Sequence, residues 1–107
     1  MRYVLRRILE RAGHEVVDAA DGAAALEAAL RSPPDLVVTD MMMPVMDGAE
    51  LIRRLRADPS TMAIPILAST SNVELAAGAD AILTKPWKVD QMLFTANQLL
   101  ALKADKR

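Results

Sequence analysis

The sequence predicts an α/β domain built as three layers, with a parallel sheet between two layers of helices. Helix-period and strand-like segments alternate along the whole chain, and the two best strand candidates, "DLVVTD" and "IPILAST", are continuous aliphatic runs. Strands read that way when crossover helices bury both faces of a parallel sheet. The length of 107 residues suits one core and is too short for two. A single domain over residues 1–107 is therefore expected, with no second domain attached.

Met1, Val4, Leu5, Ile8, Leu9 and Ala12 recur at helical spacing, with Arg2, Arg6, Arg7 and Glu10 largely off that stripe. This predicts a first helix, ended by Gly13 as a C-terminal cap. "EVVDAA" reads as the first strand. Asp21-Gly22 then turns into an alanine-rich helix, about Ala23 to Arg31, which Ser32-Pro33-Pro34 breaks. "DLVVTD" is the second strand. Asp47 and Glu50 have capping-box spacing and open a helix with Leu51, Ile52 and Leu55 on one face; Asp58-Pro59 closes it. "IPILAST" is the third strand and "AILTK" the fourth, after the short connection "NVELAAGAD". The last helix, about Val89 to Lys103, is expected to bury Met92, Leu93, Ala96, Leu99 and Leu100.

Composition excludes several classes of partner. With 13 Lys+Arg against 14 Asp+Glu and a net charge of −1, nothing favours nucleic acid or an anionic membrane. No apolar run approaches the ~20 residues that span a bilayer. The segment from Met1 to Gly13 is amphipathic and does not read as a signal peptide. The absence of cysteine removes disulfides and Cys-type zinc sites and fits a reducing, cytoplasmic setting.

In sheets of this type, ligands bind beyond the carboxyl ends of the strands. Asp40, Thr70 and Lys85 each stand at such an end, and the topology gathers them at one edge. Singly, each has a plainer reading. Asp40 could be a turn residue, Thr70 a strand-end hydroxyl and Lys85 a solvated lysine. Met41, Met42, Met43 and Met46 could suggest a soft-metal site, but thioether ligands usually come with His or Cys, and the one histidine is His14. Loop packing is the better reading of the methionines. His14, after a helix-ending glycine, reads as a surface loop residue, and Asp47 as a helix cap.

Together these segments resemble the receiver domain of bacterial two-component response regulators. "DLVVTDMMMPVMDGAELIRRLR" is similar to that family's phosphoacceptor strand, the loop after it and the start of the next helix. "IPILAST" is similar to the strand ending in the switch hydroxyl, "AGADAILTKPW" to the strand ending in Lys-Pro, and "RRILERAGHEVVDAADGAAALEAA" to the segments before them. The resemblance implies a flavodoxin-like fold that is not an enzyme. In it, Asp40 takes a phosphoryl group from a histidine kinase, a phosphotransfer protein or a small phosphodonor. Lys85 would pair with a phosphoryl oxygen, Thr70 would donate its hydroxyl to another, and Lys85-Pro86 would be cis. Magnesium is the implied cofactor, held by Asp40 and the backbone carbonyl of Met42.

The chain also departs from the family. Receivers begin with a hydrophobic strand that ends in two adjacent acids, which hold the magnesium. Here Met1 falls inside the first helix, so a weak magnesium site is expected. That strand lies mid-sheet in the family order 2-1-3-4-5. Without it, the chain is expected either to pair "EVVDAA" directly with "DLVVTD" or to form a two-fold homodimer. Only 14 residues separate Thr70 from Lys85, leaving a stub in place of the family's fourth helix. Ile82 stands where the family carries a switch aromatic. Rival readings are a phosphorylation-independent interaction module and a shortened piece of an ordinary regulator. A haloacid-dehalogenase-type phosphatase would need a second Asp two residues after Asp40, where this chain has Met42.

Overall fold

The computed structural model describes residues 2–41 and 45–105. Helix α1 (Arg2–Arg11) leads to α2 (Gly22–Arg31), strand β1 (Val37–Asp40), α3 (Gly48–Ala57), β2 (Ile66–Thr70), β3 (Ala81–Thr84) and α4 (Val89–Asp105). A 3-10 turn, Val73–Ala76, replaces a helix between β2 and β3. It is the stub that the short connection predicts.

The helix ends follow their sequence signals. Gly13 adopts φ +95°, while its N–H bonds the Glu10 carbonyl and the His14 N–H bonds that of Leu9. This is a Schellman cap, which needs a left-handed residue at the glycine position. Asp21 caps α2 through the N–H of Ala24 at 2.8 Å. Asp47 caps α3 through the N–H of Glu50 at 2.9 Å. The reciprocal half of the expected capping box is replaced, because Arg53 and Arg54 take the Glu50 carboxylate.

The described sheet is parallel with order β1-β2-β3. Val37 pairs with Ile66 and Asp40 with Ser69; Ala68 pairs with Ile82 and Thr70 with Thr84. Both faces are covered. Ile66 and Ala68 pack toward α2 and α3 with Leu51, Ile52 and Leu55. Leu67 packs toward α4 with Leu83, Met92, Ala96 and Leu99, and Ile8 and Leu9 of α1 reach the same layer. All five residues of β2 are buried. Each large aliphatic so placed stabilises by ~1.5–3 kcal/mol, so β2 is the axis of the fold. Leu93 and Leu100 are only half-buried, because α4 turns a narrower face to the sheet than its composition suggests.

The expected strand "EVVDAA" is the main difference. Residues 15–20 join no ladder, and Val17 is 76% exposed. Strand propensity expresses packing and pairing rather than an intrinsic preference, and among the described residues no strand lies beside this segment. The direct pairing with "DLVVTD" is not made. The Val37 N–H bonds the Pro65 carbonyl, so by strand alternation the backbone groups of Leu36 and Val38 face away from β2. Accordingly Val37 and Val38 are only half-buried.

Candidate functional site

Asp40 closes β1, and its register partner Ser69 is followed by Thr70, which closes β2. Lys85 follows β3, and its N–H bonds the Thr70 carbonyl at 2.9 Å. Three strand ends are thereby fixed side by side. The Lys85 ammonium lies 2.5 Å from Asp40 Oδ2, a contact spanning 45 residues of sequence. Both side chains are about 30% exposed. A partly exposed pair of this kind contributes only ~0–1 kcal/mol to stability, so fold stability is a poor reason for placing it here.

Thr70 is buried, and its hydroxyl turns to the next loop, donating to the Asn72 carbonyl at 3.2 Å and facing the Asn72 N–H at 3.0 Å. Asn72 in turn caps the 3-10 turn through the N–H of Glu74 at 3.1 Å. The Lys85-Pro86 bond is cis. Met42 lies outside the described residues, as do Met43 and Pro44. Met41 is buried in the layer under α3 and Met46 packs against it, so these two methionines are packing residues.

The start of α3 lies close against the backbone at the tip of β1. The Gly48 N–H bonds the Met41 carbonyl at 3.2 Å. A Cβ at Gly48 would lie 2.5 Å from the Asp40 carbonyl oxygen and 2.8 Å from Met41 Cα. Only glycine lets α3 start this near the strand tip. Val45, 85% exposed, carries φ +67°, a left-handed conformation that costs a β-branched residue ~1–2 kcal/mol.

A cation needs more oxygen ligands than the described residues of this edge bring together. Among the described residues, no three His, Asp or Glu side chains stand close enough to hold a metal ion. Asp47 is engaged as a cap, and Asp40 faces an ammonium. The described residues therefore do not fit a magnesium site.

Sequence reasoning missed two contacts. The Trp87 indole N–H donates to Ser69 Oγ at 2.8 Å. At the opposite end of the sheet, Arg56 Nη2 meets Asp80 Oδ2 at 2.6 Å, and the same carboxylate oxygen accepts the Ile66 N–H at 2.7 Å. Neither pair has a local sequence signal. The strand alternation could have placed Ser69 beside Asp40, but nothing marked Trp87 as its donor.

A strand-tip carboxylate, a lysine and a hydroxyl thus share the carboxyl edge of a parallel sheet, the edge where ligands bind in folds of this type. The chain belongs to the response regulator receiver domain family, whose model matches residues 1–97. It is 38% identical over 99 residues to the DNA-binding dual master transcriptional regulator RpaA of Synechocystis, covering 86% of this chain and 41% of that protein. It is 39% identical over 105 residues to the response regulator MprA of Mycobacterium leprae, covering 94% and 46%. The chain thus spans less than half the length of these curated relatives. Among solved structures, the chemotaxis response regulator CheY4 of Vibrio cholerae superposes with a TM-score of 0.84 at 32% identity, covering 92% of this chain and 88% of that one. The receiver domain of a sensor histidine kinase from Pseudomonas aeruginosa, solved with magnesium in its active-site cleft, gives 0.86 at 29%, covering 92% and 87%. The fold is accordingly the flavodoxin-like α/β type, and no described helix is long and apolar enough to cross a membrane.

Proposed function

We propose that this receiver domain takes a phosphoryl group on Asp40 and passes the signal on through protein contacts. The contact of the Lys85 ammonium with Asp40 Oδ2 at 2.5 Å carries the reading. A carboxylate oxygen attacks the phosphorus of a phosphohistidine on a histidine kinase or phosphotransfer protein. The new P–O bond forms as the P–N bond breaks, and its electron pair returns to the donor imidazole. The adduct gains negative charge, which Lys85 offsets by a charge-assisted hydrogen bond to a phosphoryl oxygen. The Thr70 hydroxyl turns from Asn72 to a second phosphoryl oxygen. Asp40 is an acceptor rather than a catalyst of turnover, and the setting is cytoplasmic, where such kinases present their phosphohistidine. Magnesium, if recruited, would draw on donors beyond the described residues.

Intact-mass measurement after incubation with a small phosphodonor, with and without magnesium, tests this. One phosphoryl adduct is expected in the native chain and none in Asp40→Asn with the fold intact. An undiminished adduct in Asp40→Asn removes Asp40 from the mechanism. No adduct on the native chain under any condition assigns it instead to phosphorylation-independent interaction.

A further inference from the structure

We propose that Trp87 relays the state of Asp40 to helix α4 through its hydrogen bond to Ser69. Asp40 and Ser69 are register partners on adjacent parallel strands, so their Cα atoms are ~5 Å apart and their side chains leave the sheet on one face. That face is the α4 face, because Val38 and Leu67, two residues before each, pack in its apolar layer. Ser69 is buried, and its Oγ accepts the Trp87 indole N–H at 2.8 Å. Lys85, two residues before Trp87, reaches Asp40 with its ammonium and bonds Thr70 with its backbone N–H. The three-residue segment Lys85 to Trp87 is thus tied to the strand tips at three points, two of them on a register pair. Trp87 also packs in the layer that holds Met92, Ala96 and Leu99 of α4, and α4 begins two residues later.

A phosphoryl group between Asp40 and Lys85 has to displace the ammonium from its present contact. With the Lys85 backbone held at Thr70, the displacement is carried toward Trp87, whose indole packs in the layer against α4. Ile82, exposed on β3, has no polar group that could take this part. The relay rests on Asp40 as acceptor only for its natural trigger. The coupling itself exists between the Asp40–Lys85 pair and the Ser69–Trp87 pair and can be measured without phosphate.

Trp87 is the single tryptophan, so its emission reports one place. The emission maximum is compared in the native chain, Asp40→Asn, Ser69→Ala and the double variant, with circular dichroism to confirm folding. Asp40→Asn is expected to release Lys85 and shift the emission to longer wavelength. In the Ser69→Ala background the same substitution is expected to produce little further shift, and Ser69→Thr, which restores the hydroxyl, to recover the response. Equal shifts in both backgrounds, or no shift in either, overturn the relay. If Ser69→Ala fails to fold, Trp87→5-fluorotryptophan incorporation gives a fluorine resonance for native and Asp40→Asn chains, and an unmoved resonance overturns it equally. Adduct formation by mass is scored separately, so loss of the relay and loss of the phosphoacceptor reading are distinguishable.

Discussion

Replacing Arg56 with methionine should cost about 2–4 kcal/mol without touching Asp40. The Arg56 guanidinium joins three segments at the amino ends of the strands. Nη1 donates to the carbonyls of Met62 and Ile64, both at 2.8 Å. Nη2 donates to the Gly78 carbonyl at 3.1 Å and to Asp80 Oδ2 at 2.6 Å. Methionine keeps the aliphatic stem and removes every donor. The Ile64 carbonyl is in a part-buried setting, where losing a charged donor costs ~1.5–3 kcal/mol. The contacts to Met62, Gly78 and Asp80 are open to solvent and add only a few tenths each, up to ~1 kcal/mol for the ion pair. Against ~5–15 kcal/mol for a whole domain, the loss should lower Tm by roughly 10–25 °C. Urea unfolding followed by far-UV circular dichroism gives the free energy, and an unchanged m-value shows that the compactness of the states has not altered. Arg56→Lys should recover less than half, because an ammonium cannot span four acceptors as a planar fork does. A loss below about 0.5 kcal/mol, or full recovery by lysine, would refute the staple.

Three further outcomes follow from the same structure. Gly48→Ala should lose ~1–3 kcal/mol by overpacking, even though alanine is the better helix former by ~1 kcal/mol. The new Cβ meets backbone atoms of Asp40 and Met41; a more stable variant would show that the loop yields. Glu50 is held down to about 2 by hydrogen bonds from Arg53 and Arg54. Its folded pKa is below the unfolded one, so its contribution is full above pH ~4.5 and is lost as pH falls toward ~2. Glu50→Gln should flatten the acid side of a Tm-against-pH curve, and an unchanged curve would remove Glu50 as a source. The backbone edge of β1 at Leu36 and Val38 should drive self-association as a two-fold dimer. Light scattering on a size-exclusion column checks this, and a monomer mass at every concentration would contradict it.

The aliphatic runs made β1, β2 and β3 legible, and capping chemistry placed α2 and α3, because these signals are local. "EVVDAA" misled because two valines carry strand propensity but cannot supply a ladder partner. The gathering of Asp40, Thr70 and Lys85 at one sheet edge was legible once the topology set the strand ends together, whereas the direct contact of Lys85 with Asp40 was not. Ser69–Trp87 and Arg56–Asp80 were not, since each joins residues 18 or 24 apart and no periodicity encodes such distances. Thr70 was legible as a strand-end hydroxyl, whereas its turn toward Asn72 depends on a loop conformation that composition does not fix.

Chemical mapping of the phosphoryl site is the most direct test of the central claim. After incubation with a small phosphodonor, an acyl phosphate on aspartate is reduced by borohydride to homoserine, and peptide sequencing by tandem mass spectrometry locates it. Homoserine is expected at position 40 alone. Homoserine at any other aspartate, or a stable phosphate ester on Ser69 or Thr70 with Asp40 unmodified, would contradict it.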